Sequence, residues 1–270
     1  MLRFSVIVPN LHSPKVHLTV KSLVQQQFDP ARYEVIVVGM DKYNLVQSGD
    51  GVSFDRSPHP LSPAEARNRG AKQARGEILA FTDADCIVDA NWLAVLDERF
   101  TDSQVEVLGG GVTFDEDNYW TFADNFSMFY NYMAELPRGT RKHLPSLNLA
   151  IRRDVFWACG GFDERYLRPS GEDTDLTLRL RRQGHILHFD PRAVVHHVPP
   201  RYRPVDLWWH GFYQGKYSVK VDPRYASTEG LPWPLRTRLG VLVSAPFLAT
   251  AVTWRILRAW PGWRYWRTAP

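Results

Sequence analysis

Apolar runs of strand length alternate with segments of helical spacing between residues 4 and 114, and this alternation constrains the fold more than any other feature. Three continuous apolar runs predict strands that are buried on both faces: FSVIVP (4–9), YEVIVVG (33–39) and GEILAFT (76–82). Helical spacing that begins at a Ser-Pro pair predicts helices at 14–27 and 62–76. Strands that alternate with helices indicate an α/β fold with a mostly parallel, twisted sheet flanked by helices.

The composition is that of a globular protein rather than a disordered one, with 44% hydrophobic and 23% charged residues. The two cysteines, Cys86 and Cys159, lie far apart, which argues against a disulfide scaffold and against a zinc site of standard spacing. The first residues, MLRFSVIVPN, lack the apolar length of a signal peptide. We therefore expect the chain to lie in the cytoplasm.

Two aspartates follow the third apolar run directly, in the stretch ILAFTDADC (78–86). In α/β sheets, ligands bind beyond the carboxyl ends of the strands. Side chains at i and i+2 of an extended segment point to the same side, so Asp83 and Asp85 can converge on one cation. A divalent metal that holds a diphosphate would relieve their mutual repulsion. The alternative is that both aspartates only form a turn, because Asp-x-Asp by itself is a weak signal.

A second group of acids begins the stretch GEDTDLTLRLRRQG (171–184), which predicts a helix with Glu172, Asp173 and Asp175 in its first turn. The helix dipole favours acids at this position whatever their function. A carboxylate held at a helix start beside a metal-bound substrate can also act as a general base. Both interpretations stay open from the residues alone.

Histidines end the next predicted segment, HILHFDPRAVVHHV (185–198), which we interpret as two short strands. A histidine at a strand end is more often a structural residue than a ligand. Close to the two aspartates, however, His196 or His197 would supply a nitrogen ligand for a metal.

The order of these motifs resembles that of glycosyltransferase family 2. The pieces that carry the resemblance, over residues 4–200, are SVIVP, ARNRGAKQARGEILAFTDADC, NLAIRR, GGFDERY, GEDTDLTLRL and VHH. The resemblance implies a GT-A fold and an inverting transfer of a sugar from a nucleotide-diphosphate sugar to a hydroxyl acceptor. It also implies a divalent cofactor, Mn²⁺ or Mg²⁺.

The resemblance also implies roles for individual residues. Asp85 would be the main metal ligand, together with Asp83 and His196, with His197 as the alternative histidine. The catalytic pair would be Asp173, as the base, and Glu172 beside it, at the donor or acceptor sugar. The residues that would contact the nucleotide sugar are Pro9, Asn10, Asp41, Arg67, Asp83 and Asn148.

One position departs from the family pattern. The family usually carries two aspartates after its second strand, and the first of them reads the nucleobase. Here the strand ends VIVVGMD, which puts Gly39 at that position and leaves Asp41 as the acid nearby. We expect Asp41 to substitute, and the choice among UDP, GDP and dTDP donors stays open.

The chain divides by composition into a catalytic domain at 1–222 and a basic, tryptophan-rich tail at 223–270. The charge-free stretch LGVLVSAPFLATAVTW (239–254) is shorter than the roughly 20 apolar residues of a spanning helix. Flanking arginines and tryptophans are typical of an interfacial segment or of a short membrane hairpin. We therefore expect attachment to the cytoplasmic face of the cell membrane and a lipid-linked or cell-envelope glycan as acceptor. A terminal helix that packs on the domain is the alternative.

Two other functions are compatible with parts of the sequence. A sugar-1-phosphate nucleotidyltransferase has a related sheet, but PNLHSPKVHL lacks its glycine-rich and basic signature after the first strand. A non-catalytic adaptor for membranes or nucleic acids would explain the net charge of +4. It would not need the ordered acids of the central region, and we expect no nucleic-acid partner.

Overall fold

A computed structural model describes residues 2–218 of the 270-residue chain, and the side chains of residues 2–211. The strands are β1 (Phe4–Leu11), β2 (Tyr33–Met40), β3 (Val52–Arg56), β4 (Ile78–Phe81), β5 (Cys86–Val88), β6 (Val107–Phe114), β7 (Gly139–Thr140), β8 (Leu149–Arg152) and β9 (Leu187–His197). The helices are α1 (Val16–Val24), α2 (Pro63–Gln73), α3 (Trp92–Phe100), α4 (Tyr119–Phe129), α5 (Arg153–Ala158), α6 (Glu172–Arg182) and α7 (Pro204–Ser218).

One sheet runs through the domain in the order β3-β2-β1-β4-β8-β6-β9-β5, and β7 pairs with β9. Strands β1 to β4 are parallel to one another where they pair, and so are β6 and β9. The antiparallel pairs join β8 to β4 and β6, and β5 and β7 to β9. Most paired residues therefore lie in parallel ladders, as the alternation of strands and helices predicts.

Helix α2 illustrates how local sequence sets an element that supports the site. Ser62 accepts a hydrogen bond from the backbone of Glu65, and the Glu65 side chain accepts one from the backbone of Ser62. This capping box, with Pro63 at the first helical position, fixes the start of the helix. The small residues of the helix pack on β1 and β2, so that Gly70 lies against Ile7 and Val38.

The core lies on both faces of the sheet, because the central strands are buried almost throughout. All four residues of β4 are buried, as are the first five of β1. The largest fully buried side chains come from strands and helices alike: Trp92, Phe4, Phe81, Phe100, Phe122, Phe156, Phe162 and Phe189. Continuous apolar runs are required here because helices cover both faces of a parallel sheet.

The structure differs from the predicted elements at several places, of which three concern the edges of the site. β3 and β5 are additional short strands, and the segment 185–198 forms one strand, β9, rather than two. The ladder between β6 and β9 shifts register between Gly110 and Gly111, which accommodates the proline of β9 without ending the strand. Within residues 2–218 no helix has the length and apolarity needed to cross a bilayer. The predicted tail at 223–270, and the boundary before it, lie outside the described residues.

Candidate functional site

The candidate site lies where β1, β2 and β4 end, together with the start of α6 and the end of β9. The chain does not continue as an extended strand after β4. The amide of Cys86 donates a hydrogen bond to the carbonyl of Asp83 (3.1 Å), so residues 83–86 form a turn. A turn does not keep side chains i and i+2 on one side. In this turn Asp83 faces Arg67 and Asp85 faces His197. That both aspartates share one cation stays a prediction.

Arg67 connects the two acidic motifs of the sequence. Its side chain is 3% exposed, and its guanidinium donates to Asp83 (Nη2 to Oδ1, 2.6 Å) and to Glu172 (Nη1 to Oε1, 3.0 Å). The guanidinium also lies over the ring of Phe162, 5.4 Å from its centroid. Burial of a cation requires such pairing, because removal from water penalises the charged form. Arg67 thus links the turn after β4 to the start of α6.

Glu172 and Asp173 lie side by side at the start of α6 but in different environments. Glu172 is buried, and its Oε2 atom has no hydrogen-bond partner among the described residues. Burial, together with the charge of Asp173, raises the pKa of Glu172 from 4.5 to about 7, against the opposing effect of Arg67. Asp173 is half-buried and accepts hydrogen bonds from the backbone of Thr174 (2.7 Å) and Ser146 (3.2 Å). A buried oxygen without a partner in such a place is suited to receive a ligand.

The residue that faces Asp85 is His197, not His196. The Nε2 atom of His197 lies 3.7 Å from Oδ1 of Asp85, whereas His196 contacts Thr113 (3.0 Å) and Asp115 (3.2 Å). Successive side chains of a strand point to opposite faces, so only one of two adjacent histidines can face the site. The alternative histidine of the sequence analysis therefore replaces His196 in the candidate metal set.

The electrostatics around Asp85 favour a charged carboxylate. Burial would raise its pKa, but His197 and Arg201 outweigh burial and hold the pKa of Asp85 below its ordinary value. The sulfur of Cys86 belongs to the same group, because ligand atoms of Asp85, Cys86 and His197 all lie within 4.8 Å of one another. The donor set of oxygen, sulfur and nitrogen fits a divalent cation.

The ring of His197 is oriented by Asn125, a residue that the sequence analysis missed. The Oδ1 atom of Asn125 accepts a hydrogen bond from Nδ1 of His197 (2.5 Å), while Nδ2 of Asn125 donates to the carbonyl of Thr121 (3.0 Å). Because Nδ1 is bonded to Asn125, Nε2 is the ring nitrogen that faces Asp85. The signal that the sequence offers for this helix is an aromatic and apolar stripe at helical spacing, formed by Phe122, Phe126, Phe129 and Met133.

Asp124, next to Asn125, fastens α7 to α4 and was also missed. It is buried, and it accepts hydrogen bonds from Arg201 and from His210, each at 2.5 Å. Despite burial, the two neighbouring cationic groups lower the pKa of Asp124 to about 2. Phe122, Phe126 and Leu207 form an apolar cluster beside this pair of contacts. The aromatic stripe on α4 is thus core that packs against α7.

The residues predicted to begin the nucleotide pocket order the loops after β1 and β2. Asn10 donates to the carbonyl of Met40 (3.0 Å) and accepts from the amide of Ser13 (3.0 Å), and Pro9 precedes it in β1. Asp41 is buried and accepts from the amides of Tyr43 (3.1 Å) and Val46 (2.8 Å). Asp41 therefore stabilises its own loop, and its predicted role in base recognition stays a prediction.

Asn148 has an internal structural role in this geometry. It is 1% exposed, its Nδ2 donates to the carbonyls of Gly111 (2.9 Å) and Ala193 (2.8 Å), and its Oδ1 accepts from the indole of Trp92 (3.0 Å). Both amide protons are used inside the protein. The predicted contact between Asn148 and the nucleotide sugar is not supported by this arrangement. Asn148 instead joins β6 and β9 to α3 behind the site.

The family model described as "Glycosyltransferase like family 2" matches residues 3–211. Glycosyltransferase AglE of Haloferax volcanii is 27% identical over 227 residues, which are 80% of this chain and 73% of that protein. The glucosyl-dolichyl phosphate glucuronosyltransferase of the same organism is 24% identical, over 75% of this chain and 71% of that protein.

A solved structure of similar fold is the mannosyltransferase PcManGT from Pyrobaculum calidifontis in complex with GDP-Man and Mn²⁺. It superposes with a TM-score of 0.62 at 18% identity and covers 98% of this chain and 83% of PcManGT. The predicted fold class, an α/β fold of the GT-A type with a mostly parallel sheet flanked by helices, is confirmed.

Proposed function

Because the chain belongs to the glycosyltransferase family 2-like proteins, we propose that it is an inverting, metal-dependent hexosyltransferase. It moves a sugar from a nucleotide-diphosphate sugar to a hydroxyl group of the acceptor. The observation that carries this proposal is the buried Arg67, which brings Asp83 and Glu172 into one site although they lie 89 positions apart. A chain that needed these acids only as turn or helix caps would not have to join them through a buried cation.

The transfer needs one base for the acceptor hydroxyl, because inversion is a single in-line displacement at the anomeric carbon. Asp173 fits this role, since it is half-buried and lies at the helix N-terminus, where the dipole stabilises its charged form. Its contact with the backbone of Ser146 fixes the position of the carboxylate. Glu172 is more deeply buried than Asp173, and its unpartnered Oε2 could accept a hydrogen bond from a hydroxyl group of a bound sugar.

The leaving nucleoside diphosphate develops negative charge, which the site must stabilise. A Mn²⁺ or Mg²⁺ ion, when bound, would neutralise that charge without proton transfer. Asp85 and His197 would hold it, together with the diphosphate oxygens. Arg67 fixes Asp83, which lies in the same turn as Asp85. The presence of Mn²⁺ with GDP-Man in the similar PcManGT structure supports the choice of ion and donor class.

The acceptor is proposed to be lipid-linked. Support comes from the name of a relative, a glucosyl-dolichyl phosphate glucuronosyltransferase, whose substrate is a sugar on a lipid carrier. The arginine-flanked, apolar stretch at 239–254 would bring the domain to the cytoplasmic face of a membrane, where such an acceptor lies.

The test is a donor screen on the full chain with UDP-, GDP- and dTDP-sugars, each with and without Mn²⁺, read as a shift in melting temperature. A ligand that binds only the folded state raises its stability. We expect one nucleotide class to stabilise the wild type with metal, Asp173→Asn to retain that shift, and Asp85→Asn to lose it. With a polyprenyl-phosphate sugar as acceptor, Asp173→Asn should reduce transfer by at least about 100-fold.

The proposal fails if none of the nucleotide sugars changes the melting temperature in either metal condition. It fails in its mechanism if Asp173→Asn keeps the wild-type rate of transfer. Retention of anomeric configuration in the product, read by proton NMR coupling constants, would contradict inversion.

A further inference from the structure

Cys86 lies directly across the sheet from His197. The antiparallel ladder between β5 and β9 pairs Cys86 with His197, and residues that face each other in such a ladder present their side chains on the same face of the sheet. Asp85 immediately precedes β5 and reaches the same point, so that ligand atoms of all three residues lie within 4.8 Å of one another. The sheet pairing itself therefore brings an oxygen, a sulfur and a nitrogen to one place.

A sulfur atom changes which cations such a site prefers. Mg²⁺ and Mn²⁺ favour carboxylate, carbonyl and water oxygens, whereas Zn²⁺ and other soft cations favour thiolate and imidazole. Three protein ligands with a free fourth position form an open site, of the type that also binds an exogenous ligand. A search for standard zinc spacing misses this set, because the set contains one aspartate, one cysteine and one histidine. Asp85 and Cys86 are also adjacent in the sequence, and His197 is distant.

The neighbours of His197 support ligation by its Nε2 atom. The Oδ1 atom of Asn125 accepts a hydrogen bond from Nδ1, and the ring of Phe129 packs edge-on against the imidazole, 5.2 Å between centroids. The distance of 3.7 Å between Nε2 and Oδ1 of Asp85 is that of an ion-pair contact and is longer than a direct hydrogen bond. Ring orientation by a second residue is the usual arrangement behind a metal-bound histidine.

We propose that Cys86 is a metal ligand and that the cluster Asp85–Cys86–His197 binds thiophilic divalent cations, Zn²⁺, Co²⁺ and Cd²⁺, more tightly than Mg²⁺ or Mn²⁺. On binding, the S–H bond of Cys86 breaks, a sulfur–metal bond forms and the proton passes to solvent. The inference rests on the proposed function only in that the same ion would contact the donor diphosphate. According to this inference, the preference for one metal over another depends on the Cys86 side chain, which mutation can change.

The experiment is a titration of the full, chelator-treated chain with Co²⁺ and Cd²⁺, read by the sulfur-to-metal charge-transfer absorption. The chain has only two cysteines, so Cys159→Ser leaves Cys86 as the only thiol. Cys159 is buried, its sulfur accepts a hydrogen bond from Arg179 (3.3 Å) and it is not a member of the cluster, which makes its substitution a matched control. We expect the band in the wild type and in Cys159→Ser, and its loss in Cys86→Ser.

Affinity gives a second readout. Since loss of a residue that only orients a metal ligand weakens binding by about 10–100-fold, Cys86→Ser should weaken Cd²⁺ binding by at least about tenfold. In the wild type, Cd²⁺ should displace Mn²⁺, seen as a rise of the free Mn²⁺ signal in electron paramagnetic resonance. If Cys86→Ser does not fold, the ¹¹³Cd chemical shift of Cys159→Ser still reports whether sulfur is bound.

Absence of the charge-transfer band in Cys159→Ser, its persistence in Cys86→Ser, or failure of Cd²⁺ to displace Mn²⁺ would overturn the inference. None of these measurements requires a nucleotide sugar. A chain that shows the charge-transfer band but transfers no sugar would refute the proposed function and leave the metal site supported. A chain that transfers sugar but shows no such band would refute the metal site and leave the proposed function supported.

Discussion

At the scale of single residues, Arg67 combines a positive charge with nearly complete burial. It is a fully buried cation whose two carboxylate partners come from the turn after β4 and from the start of α6. Loss of the cation would leave the buried carboxylate of Glu172, and the partly exposed carboxylate of Asp83, without compensation. Breaking a buried pair in this way is far more destabilising than breaking an exposed one.

Arg67→Met is therefore expected to lower the free energy of unfolding by about 3–5 kcal/mol and to abolish stabilisation by the nucleotide sugar. Urea denaturation measures the first effect and the donor screen the second. Arg69→Met is the matched control, because Arg69 lies on the same helix and pairs with Asp55 at the surface. The control should lose no more than about 1 kcal/mol, and an equal loss in both variants would contradict the assigned role of Arg67.

Glu172 gives the site a specific dependence on pH. Its pKa in the folded state, about 7, exceeds the ordinary 4.5, so between these values the folded chain binds more protons at this group than the unfolded chain. The contribution of Glu172 to stability is therefore fully present below about pH 4.5 and is lost as the pH rises through about 7.

Glu172→Gln removes the titration, and we expect the wild type to lose stability relative to this variant as the pH rises from 5 to 8. The change should amount to roughly 2–3 kcal/mol at most, because one pKa unit corresponds to about 1.4 kcal/mol. Urea titrations at several pH values measure it. Glu135→Gln, which alters an exposed glutamate, controls for net charge. A pH-independent difference between wild type and Glu172→Gln would refute the prediction.

At the scale of elements, the ends of β1 and β2 approach each other too closely for a side chain. A Cβ atom at Gly39 would lie 2.1 Å from the carbonyl oxygen of Asn10, and the backbone there has a φ of +131°. This contact explains in physical terms why the position at which the family usually carries an aspartate holds glycine here. The loop beyond it is instead fixed by the hydrogen bonds of Asp41.

Gly39→Ala is expected to destabilise the chain by at least about 2 kcal/mol more than Gly49→Ala, because only the first change forces overpacking. The comparison isolates the contact, since Gly49 has a similar φ of +144° but nothing within 4 Å of its Cβ position. Thermal unfolding of both variants measures the difference. Equal losses would mean that backbone strain, and not the approach to Asn10, requires the glycine.

At the scale of the whole molecule, the sheet order brings distant parts of the chain to one edge of the sheet. The tail at 223–270 would in addition attach the domain to a membrane. Six arginines of the tail follow Glu229: Arg236, Arg238, Arg255, Arg258, Arg264 and Arg267. No acid follows Glu229. Each arginine near an anionic surface contributes about 1 kcal/mol, so together they would hold the catalytic domain at a membrane.

We expect the full chain to sediment with vesicles that contain anionic phospholipid and to bind purely zwitterionic vesicles far less. Replacement of the six arginines after Glu229 by glutamine should reduce binding to the anionic vesicles by at least about tenfold. The same variant should keep the donor-induced melting shift, which serves as the control for folding. Equal binding of wild type and variant would mean that the tail arginines do not hold the chain at the surface.

The sequence by itself determined those features that depend on neighbouring residues. Continuous apolar runs specified β1, β2 and β4, and the serine and proline before α2 specified its start, because burial pattern and capping are local properties. The ordered acidic motifs were sufficient to indicate the family, which the match over residues 3–211 confirms. Short β3 and β5 escaped prediction because three to five residues carry too little periodicity.

Only the tertiary structure decided which acids and histidines face one another. The turn at 83–86 separates Asp83 from Asp85, and the alternation of β9 selects His197 over His196. Cys86 joins the cluster because β5 pairs with β9, which places it opposite His197. Asn125 contacts His197 from α4, a helix whose sequence shows only an apolar stripe. Such pairings depend on register and on packing between elements distant in the chain, and no local pattern encodes them, because they exist only once the sheet has closed.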